Sequence, residues 1–118
     1  MTNPKRGEMQ IKLGETTYKA RVTLNSIITI ETSLSMGMFK IMQKLTEGDL
    51  STSDMIQILK PIIRGGGNDI SEKDIMAAIW DAGLAGTMSV VADCLATALN
   101  GGSGGNDEAE GALSLIHI

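Results

Sequence analysis

The sequence predicts an α+β fold, mostly α, in which an N-terminal β-hairpin packs on a compact bundle of about four to five short helices. Three observations predict it. Residues 8–22 alternate apolar and polar side chains around a Gly-Glu pair. From Thr23 onward the apolar spacing changes to three and four. Helix-capping residues and glycines then recur between the apolar stripes up to Asn100.

In "EMQIKL", Met9, Ile11 and Leu13 alternate with Glu8, Gln10 and Lys12, and in "TYKARV", Tyr18, Ala20 and Val22 alternate with Lys19 and Arg21. This is the two-residue period of strands with one buried face. Gly14-Glu15 suits a two-residue turn with glycine at its first central position. The hairpin is therefore placed at residues 8–23. A lone hairpin is marginal in water, so its apolar face must rest on the helices of the remaining chain.

"TLNSIITIETSL" has β-branched residues but also Leu24, Ile27, Ile30 and Leu34 at helical spacing behind Thr23, a good N-cap. It is read as a helix. Gly37 interrupts it, and "MFKIMQKL" forms a second helix that Gly48 ends. In "LSTSDMIQILKPIIRGGG", Ser51 with Asp54, or Ser53 alone, caps a third helix. Its stripe is Met55, Ile56, Leu59, Ile62 and Ile63. Pro61 should bend this helix or cut it short, and Gly65–Gly67 should stop it. A fourth helix starts behind Ser71, with Asp74 at its third position and Ile75, Ile79 and Ala82 or Gly83 facing inward. The last runs from about Leu84 to Leu99, with Met88, Val91, Leu95 and Leu99 on one face.

Residues 1–100 are thus expected to form one globular domain. The acidic, Gly-rich run 101–112 reads as a flexible linker. The final "LSLIHI", residues 113–118, is what one frame of a common transposase adapter encodes (CTG TCT CTT ATA CAC ATC), and is read as adapter-derived. That removes His117, the sole histidine, from functional consideration.

Composition excludes several functions. The net charge of −4 and the absence of a basic face speak against nucleic acid as the main partner. No apolar run approaches the roughly 20 residues that span a bilayer, and "MTNPKRGEMQ" lacks the apolar core of a signal peptide. The expected place is the cytoplasm, with no membrane partner. One cysteine, Cys94, permits no internal disulfide and lies in the apolar "VVADCLATAL". Without His117 no histidine-based triad or metal cluster can be assembled. The glycines after Arg64 follow a helix and lack the lysine of a phosphate loop. Neither an enzyme nor a bound cofactor or metal is expected. The eight methionines and 3% aromatic content describe a core filled by Met, with the excess suited to adaptable contacts. Trp80 is read first as core and, more sharply, as an anchor at a partner interface. The other candidate partner-binding residues are Lys12, on the outer hairpin face, and Met36, Met38 and Phe39, around the glycine-broken connection.

The order of these signals resembles the small tail protein family of gene transfer agents and tailed phages, described both as tail assembly chaperone and as tail tube protein. The resemblance runs over about residues 5–100. It is carried by Leu13-Gly14 in the hairpin turn, Ile30-Glu31 in the first helix, Leu45 to Gly48, Arg64 to Gly67, and "AGL" at 82–84. Ser35-Met36, where a glycine is expected soon after the first helix, and Pro61 depart from the pattern. The resemblance implies a non-catalytic role in tail morphogenesis. The chain would most readily be a chaperone that binds the tape-measure protein and recruits tail tube protein, with homo-oligomers possible in principle. A structural tube subunit and a small helical DNA-binding module are the alternatives. Only one hairpin is available for the extended sheet that rings of tube subunits need, and the charge balance disfavours the DNA-binding module.

Overall fold

The computed structural model describes residues 6–101. Of the linker expected over 101–112 all but residue 101, and the adapter-derived run expected over 113–118, lie outside the described residues. The order is β1 (Glu8–Leu13), β2 (Thr16–Arg21), α1 (Leu24–Leu34), α2 (Met38–Thr46), α3 (Thr52–Gly65), α4 (Glu72–Ala82) and α5 (Leu84–Leu99).

β1 and β2 pair antiparallel, with Met9 opposite Ala20, Ile11 opposite Tyr18 and Leu13 opposite Thr16. Gly14 takes φ +63° at the first turn position, which a glycine adopts without strain. The pleat holds as the alternation requires. Ile11, Leu13, Ala20 and Val22 are buried, whereas Gln10, Lys12 and Lys19 are exposed. β1 rests on α4 and α5, and β2 rests on α3.

α3 is the central element. It packs against α1, α4, α5 and β2, and buries Met55, Ile58, Leu59, Ile62 and Ile63. Each such side chain gains about 1.5–3 kcal/mol on leaving water. Two expectations need correction here. Ile58, not Ile56, completes the buried stripe, and Ile56 is only half-buried. Of the two outcomes expected at Pro61, a bend or an early end, the early end is excluded, since α3 continues to Gly65. Ile62 and Ile63 are fully buried directly after it, and that packing outweighs one missing backbone donor.

The helix starts follow local chemistry. Thr23, Ser51 and Ser71 each accept from the backbone three residues on, in a reciprocal capping box. Ser26 is the partner of Thr23. Its hydroxyl accepts from the Thr23 N–H at 2.7 Å and donates to the Thr23 carbonyl at 2.8 Å. So satisfied, Ser26 is buried beside Ile30. That turns α1 so that Leu24, expected inside, is 72% exposed.

Ser35, the departure from the family pattern, sits at φ +56° and ψ +38°, the left-handed position that closes α1. After it, Glu31 reaches forward and its Oε2 accepts from the Met38 N–H at 2.8 Å. This carboxylate caps the N-terminus of α2, whose Gly37 N-cap supplies no side chain.

Candidate functional site

α4 buries Ile75 and Ile79. One position further round the same helix, Met76 is 55% exposed and Trp80 is 89% exposed. A core role for Trp80 is therefore ruled out. α4 and α5 meet at a bend of 116°. The joint is Gly83, at φ +84° and ψ +155°, a backbone state open essentially to glycine alone. Its N–H donates to the Ile79 carbonyl at 2.8 Å, and its own carbonyl accepts from the Thr87 N–H at 3.0 Å and hydroxyl at 2.8 Å. One residue thus ends α4 and starts α5.

The bend places Leu84, 57% exposed, beside Trp80 and Met76. Thr52 and Ile56 of α3 form the opposite wall, and Ile79 the floor, of an open groove of about 530 Å³. Among the described residues no charged side chain lines it. A Trp side chain offers about 150–250 Å² of surface. At about 25 cal/mol per Å², covering Trp80 is worth roughly 4–6 kcal/mol before the costs of association. A contiguous apolar surface of this kind suits an apolar helix laid into the groove.

The other candidates are placed elsewhere. Lys12 is exposed on the outer hairpin face. Phe39 is 80% exposed on α2, and Met36 is half-buried before it. Met38, expected among the exposed apolar side chains, is 6% exposed and packs in the core. Neither Lys12 nor Phe39 lines the Trp80 groove. Met76, Leu84 and Ile56 were not legible as its walls. The available signal was the Met76–Trp80 spacing of four, running beside the Ile75–Ile79 stripe.

Of the seven methionines among the described residues, only Met38 and Met55 are buried, while Met9, Met36, Met42 and Met88 are half-buried. Cys94 is fully enclosed, and burial, aided by Asp93, pushes its thiol up to about 12. Lys60 donates to Glu72 at 2.8 Å, and with Gln57 it holds the Glu72 carboxyl below its ordinary value. Among the described residues no group of three or more His, Cys, Asp and Glu is arranged to hold a metal. No single described helix is long and apolar enough to cross a membrane.

The residues that carried the resemblance act as joints. A Cβ on Gly14 would collide with the Asp81 carboxylate, which accepts from the Glu15 N–H at 3.2 Å and ties the hairpin turn to α4. Glu31 caps α2. Gly48 turns the chain after α2 at φ +70°. Gly65 and Gly66 lie directly against the β2 backbone. Asn68 donates both to the Lys19 carbonyl, at 2.6 Å, and to the Ile63 carbonyl, at 3.0 Å, closing the same seam.

No match was found among the curated proteins or the solved structures. The family model described as phage tail tube protein, GTA-gp10, matches residues 6–101, the whole of the described fold. This chain therefore belongs to the phage tail tube protein, GTA-gp10, family, and is a tail protein of the phage and gene-transfer-agent type.

Proposed function

We propose that the chain is a non-catalytic tail assembly chaperone. It acts in the cytoplasm of the producing cell, holds an apolar helix of the tape-measure protein, and brings tube subunits to it. The observation that carries this reading is the uncharged groove between α3, α4 and the start of α5, with Trp80 standing 89% exposed at its edge. A chaperone gains a reversible anchor.

Trp80 is the sole tryptophan, so its fluorescence reports the groove directly. Titrating the full chain with helical segments of the tape-measure protein from the same gene cluster should shift the emission to the blue. Trp80→Ala should weaken binding by about 30-fold or more, the scale of an interface hot spot. An unshifted emission with every segment would defeat the proposal.

The family description, which names a tail tube protein, favours a second reading as a structural tube subunit. Protein composition of purified particles separates the two. A chaperone is absent from finished tails, whereas a tube subunit is among their most abundant proteins.

A further inference from the structure

Two open grooves adjoin at Thr23, where the hairpin passes into α1. The first, about 360 Å³, is lined by the cations Arg6 and Arg21 and by the apolar Val22, Leu24 and Ile27. The second, about 420 Å³, runs between α1 and α3 past Lys60 and Arg64. Among the described residues no Asp or Glu lines either groove, although acidic residues outnumber basic ones by 14 to 10 in the chain. Lys60 is engaged by Glu72. Glu8 stands opposite Arg21 in the hairpin, but its carboxylate lies toward Lys19, at 3.8 Å.

The arginines are partly fixed. Arg21 Nε donates to the Arg6 carbonyl at 3.2 Å, and Arg64 Nε donates to the Ile70 carbonyl at 3.0 Å. Among the described residues, neither these two guanidinium groups nor that of Arg6 forms an ion pair with a carboxylate; the Arg64 charge reaches Glu72 only as a minor contribution beside Lys60. An arginine whose Nε is anchored presents its remaining N–H groups as a preset fork for a carboxylate.

We propose that this face docks an acidic amphipathic segment of a partner protein, with its carboxylates on Arg6, Arg21 and Arg64 and its aliphatic side chains on Leu24 and Ile27. Charge complementarity selects the acidic side of the partner. Leu24, 72% exposed in the groove it shares with Arg6 and Arg21, selects an apolar side as well. A nucleic acid would answer the charges but not the apolar side chains that share the groove with them. The site is distinct from the Trp80 groove, so the protein has two docking faces of different chemistry, one neutral and apolar, the other cationic and apolar.

The test uses the full chain and a fluorescein-labelled helical peptide with Glu along one face and Leu along the other, read by anisotropy. An otherwise identical peptide with Gln for Glu, and a single-stranded oligonucleotide, serve as the comparisons. The Glu peptide should bind. Exchanging its Glu for Gln, or Arg21→Gln in the protein, should each weaken binding by about tenfold or more. Leu24→Gln, a surface change that leaves the core intact, should also weaken it, and Trp80→Ala should not. Equal binding of the Gln peptide, or tighter binding of the oligonucleotide, would overturn the proposal. So would loss of peptide binding in Trp80→Ala with retention in Arg21→Gln and Leu24→Gln, which would return all docking to the Trp80 groove.

Discussion

Two glycine-to-alanine changes should move stability in opposite directions, and the reason lies in the seam between α3 and the hairpin. Gly66 has φ −85°, so its backbone suits any residue. Space is what it lacks. A Cβ there would overlap the Lys19 carbonyl oxygen, and would come within 2.5 Å of the Lys19 carbonyl carbon and 2.6 Å of Ala20 Cα. All three are backbone atoms of β2, held in place by pairing with β1. No side chain can rotate out of the way. Overpacking of this kind costs about 1–3 kcal/mol, and three close contacts put Gly66→Ala in the upper part of that range. The reduced freedom of the unfolded chain returns about 0.4–1 kcal/mol. The net loss is about 2 kcal/mol, or a fall in melting temperature of roughly 8–16 °C for a domain of this size. Gly86 lies inside α5, exposed, with no atom within 4 Å of an added Cβ. Gly86→Ala should gain about 0.5–1 kcal/mol from helix propensity alone. Urea unfolding of both variants in the full chain, followed by circular dichroism, measures the difference. If Gly66→Ala matched or exceeded the parent, the close seating of α3 on β2 would be wrong.

Three further changes test other joints. Ser35→Gly should stabilise by about 1 kcal/mol, because it relieves a left-handed backbone on a residue with a Cβ; an unchanged urea midpoint would remove the strain argument. Ile11→Asp would bury an unpaired charge at a cost of several kcal/mol, enough to unfold or precipitate the protein, whereas Lys12→Asp on the opposite face should fold almost normally; equal tolerance of the two would contradict the pleat. Cys94 should resist thiol reagents in the native protein and react once urea unfolds it. Its thiol is raised from 9.0 to about 12, so the folded state keeps a proton that the unfolded state releases between those values. Its contribution to stability is full below pH 9.0 and is lost as pH rises from there toward about 12. Cys94→Ala should lose that alkaline fall.

What could be read from the sequence was what depends on near neighbours. The hairpin was legible because the two-residue period fixes which side chains share a face, and burial of Ile11, Leu13, Ala20 and Val22 follows it. The caps at Thr23, Ser51 and Ser71 were legible because each box closes within three residues. Pro61 shows the limit. The rule that proline ends helices counts one lost hydrogen bond and a local clash. It does not count the burial of Ile62 and Ile63, which holds the last turn of α3 in place. Leu24 shows another limit. The spacing pointed to an inward residue, but a buried serine satisfied by its own cap rotated the face.

The binding surface was harder to read because an apolar residue next to a buried one has two possible orientations, and periodicity alone does not choose. On α4 the pairs Ile75–Ile79 and Met76–Trp80 have the same spacing, and the core takes the first pair. On α2 the choice falls between Met38 and Phe39, and the core takes Met38 together with Ile41 and part of Leu45. Glu31 accepts from the Met38 N–H, which sets where the helix begins. With that start fixed, Met38 and Ile41 share the inward face, while Phe39, rotated about 100° from Met38, points to solvent. The acid of the Ile30-Glu31 pair thus fixes the start of α2, and the spacing of Met38, Ile41 and Leu45 sets which face the core receives.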